Sequence, residues 1–466
     1  MKNTSVFASA VAFASLVASA SPTLSRPEDV AKLIPQETAG ETASRMAWWT
    51  DSRFGMFIHF GLYAMPARHE WVKTYERIPE DRYRVYFDNF NPDLFDAREW
   101  ARSAKEAGMK YVVLTAKHHE GFCLWDTAAT DYKITNTPFG RDLVKEYVEA
   151  LRAEGLKVGL YYSLIDWHHP DFTVDQHHPL RGDESDETYA RLNKGRDMAR
   201  YRKFLVDQVT ELLTQYGKID IIWFDFSYPG KHGKSRDDWD SPALLALARK
   251  LQPGIIVDNR MDMNDVPGGC DFLSPEQFKV TAWPLLNGKR FPWETCQTFS
   301  GSWGYHRDES TWKSPKQCLQ LLIDAVAHGG NLIMNVGPTG RGEFDARAKA
   351  RLEEFGKWMH WNSRAIYGCT EAPAEFETPD GCVMTWNPKT RRLYLHVYSY
   401  PSSGAIGLRF ADRVEYAQFL HDGSEIPVKG LPDWQKATDP GACTTFCMMP
   451  VTPPDVAIPV IELFIK

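Results

Sequence analysis

Over about residues 48–365 the chain alternates short apolar, β-branched or aromatic runs with longer amphipathic stretches, the pattern of repeated strand–helix units. Five runs read as strands: Phe54 to His59, Tyr111 to Thr115, Val158 to Ser163, Ile219 to Asp225 and Ile255 to Asp258. Asn331 to Val336 is a later member. Between them, Asp96 to Ala107, Asp142 to Glu154 and Thr188 to Tyr216 read as helices, each followed by a glycine (Gly108, Gly155, Gly217) that can take the left-handed turn past a helix end. Ser314-Pro315 supplies a capping residue and a first-turn proline for a helix running to His328. Such spacing builds a right-handed parallel sheet that six to eight units can close into a TIM-like (β/α)7-8 barrel; a doubly wound open sheet is the competing architecture. The barrel is favoured because no glycine-rich phosphate loop follows the first strand, while His59, Lys117-His118-His119, Ser163 and Asp225 all stand at strand C-terminal ends, which converge in a barrel. Beyond about residue 370 the runs become short and alternating, as in Arg392 to Val397, and predict an antiparallel β-sandwich. The expected division is a leader at 1–20, a barrel domain at 21–370 and a sandwich at 371–466.

Composition narrows the function. The 466 residues are 43% hydrophobic and 25% charged, with a formal charge of -7 and no basic stripe to draw nucleic acid or an anionic membrane. Lys2, the run from Val6 and Ala18-Ser19-Ala20 read as a secretory signal peptide with its cleavage site, too short and serine-rich for a membrane span. A secreted or periplasmic protein is expected, and a homo-oligomer is compatible with it. The eight cysteines are scattered without a Cys-x-x-Cys pair, so buried free thiols are the ordinary reading and a structural zinc site is not expected.

The strand Ile221 to Asp225 puts Trp223 and Asp225 on one face by its two-residue period, with Asp225 at the open end. A carboxylate there could attack a sugar C1 or merely cap the next loop. His59, His118 and His119 could bind metal or sugar hydroxyls. His118 and His119 would point apart in extended chain, and the first strand lacks His-x-His, which disfavours chelation.

The strings Arg53-Phe54-Gly55-Met56-Phe57-Ile58-His59-Phe60-Gly61, Thr115-Ala116-Lys117-His118-His119-Glu120-Gly121-Phe122, Trp223-Phe224-Asp225 and Asn335-Val336-Gly337-Pro338 resemble glycoside hydrolase family 29, the α-L-fucosidases, from about Trp48 to Gly368. The resemblance implies a retaining exo-fucosidase, without metal or cofactor, acting on fucosylated glycans or oligosaccharides. It makes Asp225 the nucleophile. The general acid/base varies in sequence position between members, and two glutamates fall in the right region. Glu276, in Asp271-Phe272-Leu273-Ser274-Pro275-Glu276, has the more similar context, and Glu294, in Pro292-Trp293-Glu294-Thr295, is the second candidate. A retaining mechanism holds two carboxyls about 5 Å apart, one ionised to attack and one protonated to release the leaving oxygen.

By the same resemblance His59, Glu70, Trp71, His118, His119, Tyr161, Trp223, Arg260 and Trp303 line the fucose pocket, with imidazoles and carboxylate for hydroxyls and Trp303 for the C5 methyl. Tyr161 is chosen over its strand neighbour Tyr162 by motif position alone. Phe60 replaces the tryptophan found in many members, an expected change in the wall beside His59. Loops at Lys73 to Asn91 and His168 to Asp186 would set the aglycone. A non-catalytic fucose-binding protein and a metal-dependent hydrolase are the alternative readings.

Overall fold

The computed structural model describes residues 27–279, 281–436 and 442–466, and the leader expected at 1–20 lies outside them. Seven parallel strands form one curled sheet: β1 (Phe54–Ile58), β2 (Tyr111–Lys117), β3 (Lys157–Ser163), β4 (Ile221–Asp225), β5 (Ile256–Val257), β6 (Glu294–Thr298) and β7 (Asn331–Val336). Their order is β5-β4-β3-β2-β1-β7-β6. All six expected runs pair in it. The ring is completed between β5 and β6 by residues 271–277, which run parallel to β6 without forming a regular strand. The Asp271 N–H donates to the Val257 carbonyl at 2.8 Å, Glu294 N–H to Leu273 at 2.8 Å and Gln277 N–H to Cys296 at 3.0 Å. Pro275 has no N–H to give, which is one reason the ladder stays intermittent.

Strand alternation sorts side chains into two cores. Phe57, Val113, Tyr161, Ile221, Trp223, Cys296 and Ile333 fill the barrel interior, where Met46 and Trp49 plug its lower end from the helix Ala39–Ser52. The intervening residues face the helical layer and join the larger core. Gly55 is required by the interior. A Cβ there would stand 2.2 Å from the Tyr111 ring.

The expected helices appear as Ala97–Glu106, Leu143–Ala153 and Pro315–Ala327, capped by Asp96, Asp142 and Ser314. The stretch Thr188 to Tyr216 is not one helix. It divides into Asp186–Leu192 and Met198–Thr214, because Asn193 turns its amide onto Val174, donating to its carbonyl and accepting from its N–H, and Asp197 caps a new start by accepting from Ala199 N–H.

From Thr370 onward the strands are antiparallel. A five-stranded and a three-stranded sheet share one apolar core, with Leu393, Leu395, Ile461 and Leu463 from the first and Ile406 and Cys447 from the second. This is a β-sandwich. It rests directly on the barrel, where Trp358 Nε1 donates to the Ile458 carbonyl at 2.9 Å and Arg53 Nε to Cys369 at 2.7 Å. All eight cysteines are free thiols, six of them buried. Among the described residues no helix is long and apolar enough to cross a membrane.

Candidate active site

The interior face of β4 ends at the barrel mouth in Asp225, whose side chain is 10% exposed. Tyr161, on the interior face of β3, donates its hydroxyl to Asp225 Oδ2 at 2.8 Å, and Arg260 Nη1 donates to Oδ1 at 3.1 Å. Tyr162 faces outward and donates to Gln208 on the helical layer, which leaves Tyr161 as the one of the two on the interior face. Burial pushes the Asp225 carboxyl above the ordinary aspartate range, and the Arg260 guanidinium pulls it back. Burial also drives the Tyr161 phenol well above its usual value, so it remains a donor.

Arg260 reaches a second carboxyl. The same Nη1 donates to Glu276 Oε2 at 2.8 Å, and Trp303 Nε1 donates to Glu276 Oε1 at 3.1 Å. Because one nitrogen bonds both acids, the two oxygens lie no more than about 6 Å apart, the spacing of a retaining pair rather than an inverting one. Asp225 is the buried partner and Glu276 the open one, 41% exposed. Arg260 itself lies over Trp223, its guanidinium 4.5 Å from the ring centroid.

Glu294 is not part of this cluster. It opens β6, in register with Asn331 at the start of β7, whereas Thr298 pairs with Asn335 at the mouth. At strand rise that places it about 13 Å below the mouth. On the barrel floor it accepts a hydrogen bond from Tyr111, and it is 1% exposed.

The remaining predicted pocket residues converge. His118 and His119 do not point apart: both follow the end of β2, where the chain turns, and their rings lie 4.0 Å between centroids. His59 sits 5.6 Å from His118 and 5.0 Å from Trp303, and Trp71 packs 5.1 Å from His119. Burial lowers all three imidazoles, His59 to about 3, so they are neutral. Ser163 Oγ donates to the Ile165 carbonyl at 2.7 Å and therefore accepts from His119 Nδ1 at 2.7 Å. His119 then carries its lone pair on Nε2, 3.9 Å from Asp225 Oδ2, ready to accept from a sugar hydroxyl. Glu70 Oε1 and His118 Nδ1 are buried without a hydrogen bond in the protein, although His69 Nδ1 lies 3.2 Å from the first. Phe60 has no part in this wall; it packs outside the barrel against Phe90 and Trp100. Among the described residues no group of three or more His, Cys, Asp or Glu is placed to hold a metal ion.

Sequence reasoning assigned no role to Ser163, Asp258 or Asn335. The signal was present in the first two as polar residues at strand ends. Asp258 accepts Phe224 N–H at 2.9 Å and Arg260 N–H at 3.0 Å, tying the strand that carries Asp225 to the backbone of the arginine.

Three buried carboxyls give the molecule a pH dependence. Burial pushes Glu294 up to about 8 and Glu70 and Glu120 to about 7, against an ordinary 4.5. The unfolded chain releases these protons first, so across pH 4.5–8 the contribution of these carboxyls to stability falls as pH rises. The buried neutral imidazoles act the other way below pH 6.5, because the unfolded chain takes up their protons, so the carboxyl share is read as a difference between two proteins. Each tenfold difference in proton affinity is worth about 1.4 kcal/mol, and Glu294→Gln should gain several kcal/mol relative to the wild type between pH 5 and pH 8.5 in urea unfolding. An unchanged difference between the two proteins over that range would refute the burial argument.

A sequence model of the Alpha-L-fucosidase family matches residues 27–364. Human plasma alpha-L-fucosidase is 31% identical over 389 residues, 78% of each chain. Alpha-L-fucosidase isoenzyme 1 from Paenibacillus thiaminolyticus superposes with a TM-score of 0.83 at 41% identity, over 91% of this chain and 99% of that one. A GH29 alpha-L-fucosidase from Bacteroides thetaiotaomicron, solved as a trapped covalent intermediate with 2-fluoro-fucosyl fluoride, superposes with a TM-score of 0.76 at 29% identity, over 93% and 97% of the two chains. With its barrel, its paired carboxyls and a family match over most of its length, this chain belongs to the alpha-L-fucosidase family.

Proposed function

We propose that the chain hydrolyses terminal α-L-fucosides of glycans or oligosaccharides with retention, with Asp225 as nucleophile and Glu276 as acid/base. The observation that carries the assignment is Arg260 Nη1 bonded to both carboxyls at 3.1 and 2.8 Å. Asp225 attacks the anomeric carbon as the glycosidic bond breaks, and Glu276 gives its proton to the departing oxygen. In the second step Glu276 takes a proton from water, the water oxygen bonds to C1, and the ester to Asp225 breaks. Tyr161 and Arg260 hold the carboxylate in position throughout. His59, Glu70, Trp71, His118, His119, Trp223 and Trp303 form the fucose pocket in this reading, with Trp303 as the apolar wall. Export fits a substrate outside the cytoplasm, and the chain divides near residue 370 into catalytic and sandwich domains.

Glu276→Ala should lower kcat/KM on phenyl α-L-fucoside by about 10²–10⁴-fold, while on the 2,4-dinitrophenyl fucoside, whose departure needs little acid help, azide should restore turnover by attacking the fucosyl-enzyme and give α-fucosyl azide. Rescue at Glu294→Ala but not at Glu276→Ala would reverse the assignment.

A further inference from the structure

Asn335 is the interior residue at the end of β7 and is buried. Its Nδ2 donates to the Trp303 carbonyl at 2.6 Å. A carbonyl only accepts, so the amide orientation is fixed and Oδ1 faces His59 Nδ1 at 2.7 Å. Oδ1 in turn only accepts. His59 therefore carries its proton on Nδ1 and presents a bare Nε2, the same arrangement Ser163 imposes on His119.

The other end of this contact leads to the reaction. Trp303 is gripped on both sides of its backbone: Asn335 holds its carbonyl, and Glu70 Oε2 accepts from Trp303 N–H at 3.0 Å and Gly304 N–H at 2.9 Å. Its indole N–H reaches Glu276. Gly337, two residues beyond Asn335, lets this loop come close, since a Cβ there would stand 2.7 Å from the Gly304 carbonyl carbon.

We propose that Asn335 is a positioning residue for the fucosidase reaction, fixing His59 as a hydrogen-bond acceptor toward the sugar and, through Trp303, holding Glu276 over the leaving oxygen. The second half rests on Glu276 being the acid/base. The Asn335 amide thus joins sugar recognition to proton delivery, although it touches neither the substrate nor the carboxyl.

Ring-¹⁵N-histidine spectra of the intact protein read the first half, with His59 assigned by its loss in His59→Gln. His59 should be protonated on Nδ1 in the wild type, and a proton on Nε2 overturns the proposal. Asn335→Asp cannot donate to the Trp303 carbonyl, and Trp303→Phe keeps the ring but loses the N–H. Both should lower kcat/KM for phenyl α-L-fucoside about a hundredfold, at least tenfold more than for the 2,4-dinitrophenyl fucoside, whose departure needs little acid help. Equal losses on the two substrates in both variants would overturn the link to Glu276. Absent azide rescue in Glu276→Ala would instead remove the acid/base reading and leave the His59 result standing.

Discussion

Asp225→Gly is expected to lower kcat on 4-nitrophenyl α-L-fucoside by about four orders of magnitude or more. Tyr161 and Arg260 would keep their donors aimed at the space the carboxylate filled, so the pocket should still bind sugar and KM should change far less than kcat. Azide can enter that space and attack C1 from the nucleophile's side. The product should be β-fucosyl azide, the opposite anomer from that of Glu276→Ala, so the pair of variants reports the geometry of both faces. Retention of wild-type turnover by Asp225→Gly would end the double-displacement mechanism for this chain.

The largest expected loss of stability lies at Asp271. Its Oδ1 accepts from Arg45 Nη2 at 2.7 Å, and its Oδ2 from Arg249 Nη2 at 2.7 Å and from Val257 N–H at 2.8 Å. The three side chains are 3%, 9% and 8% exposed, so Asp271→Ala would remove the ion-pair partner of Arg249 in a desolvated site and leave Arg45 with Glu37 alone. Such a break costs about 3–5 kcal/mol. Guanidinium unfolding should show it, while Lys145→Ala, which removes the exposed pair with Glu149, should not move the midpoint measurably. Because Asp271 begins the segment that carries Glu276, kcat should fall as well. A midpoint for Asp271→Ala within error of the wild type would mean that the ring closes without this clamp.

The barrel was legible because its strands are apolar on both faces, and such runs stand out between amphipathic helices. β6 was not. Glu294-Thr295-Cys296-Gln297-Thr298 has no apolar run, and it is buried through polar contacts: Glu294 with Tyr111, and Thr295 and Gln297 with the Phe278 carbonyl. The choice between Glu276 and Glu294 shares that cause. Once β6 has a direction, one acid falls on the floor and the other at the mouth, but the direction is not visible in those five residues. The histidine pair misled for a local reason, since alternation ends where β2 ends and the next two residues follow the turn. Asn335 opens the Asn335-Val336-Gly337-Pro338 string, yet its contacts depend on a carbonyl in a distant loop, and backbone groups leave no trace in a residue pattern.

The intermittent closure between β5 and β6 also has an evolutionary side. A regular strand fixes the number of residues between its neighbours, because a single insertion turns every side chain to the wrong face. Residues 271–277 keep one register with β6, but residues 259–270 form neither strand nor helix, so the stretch between Asp258 and Glu276 can lengthen or shorten there at the modest entropic cost of a loop. Asp225, locked in β4, has no such freedom. One of the two carboxyls joined by Arg260 therefore keeps a fixed address while the other can drift along the chain, and the loop before the seam gives descendants of this fold a place to remodel one side of the barrel mouth without rebuilding the other.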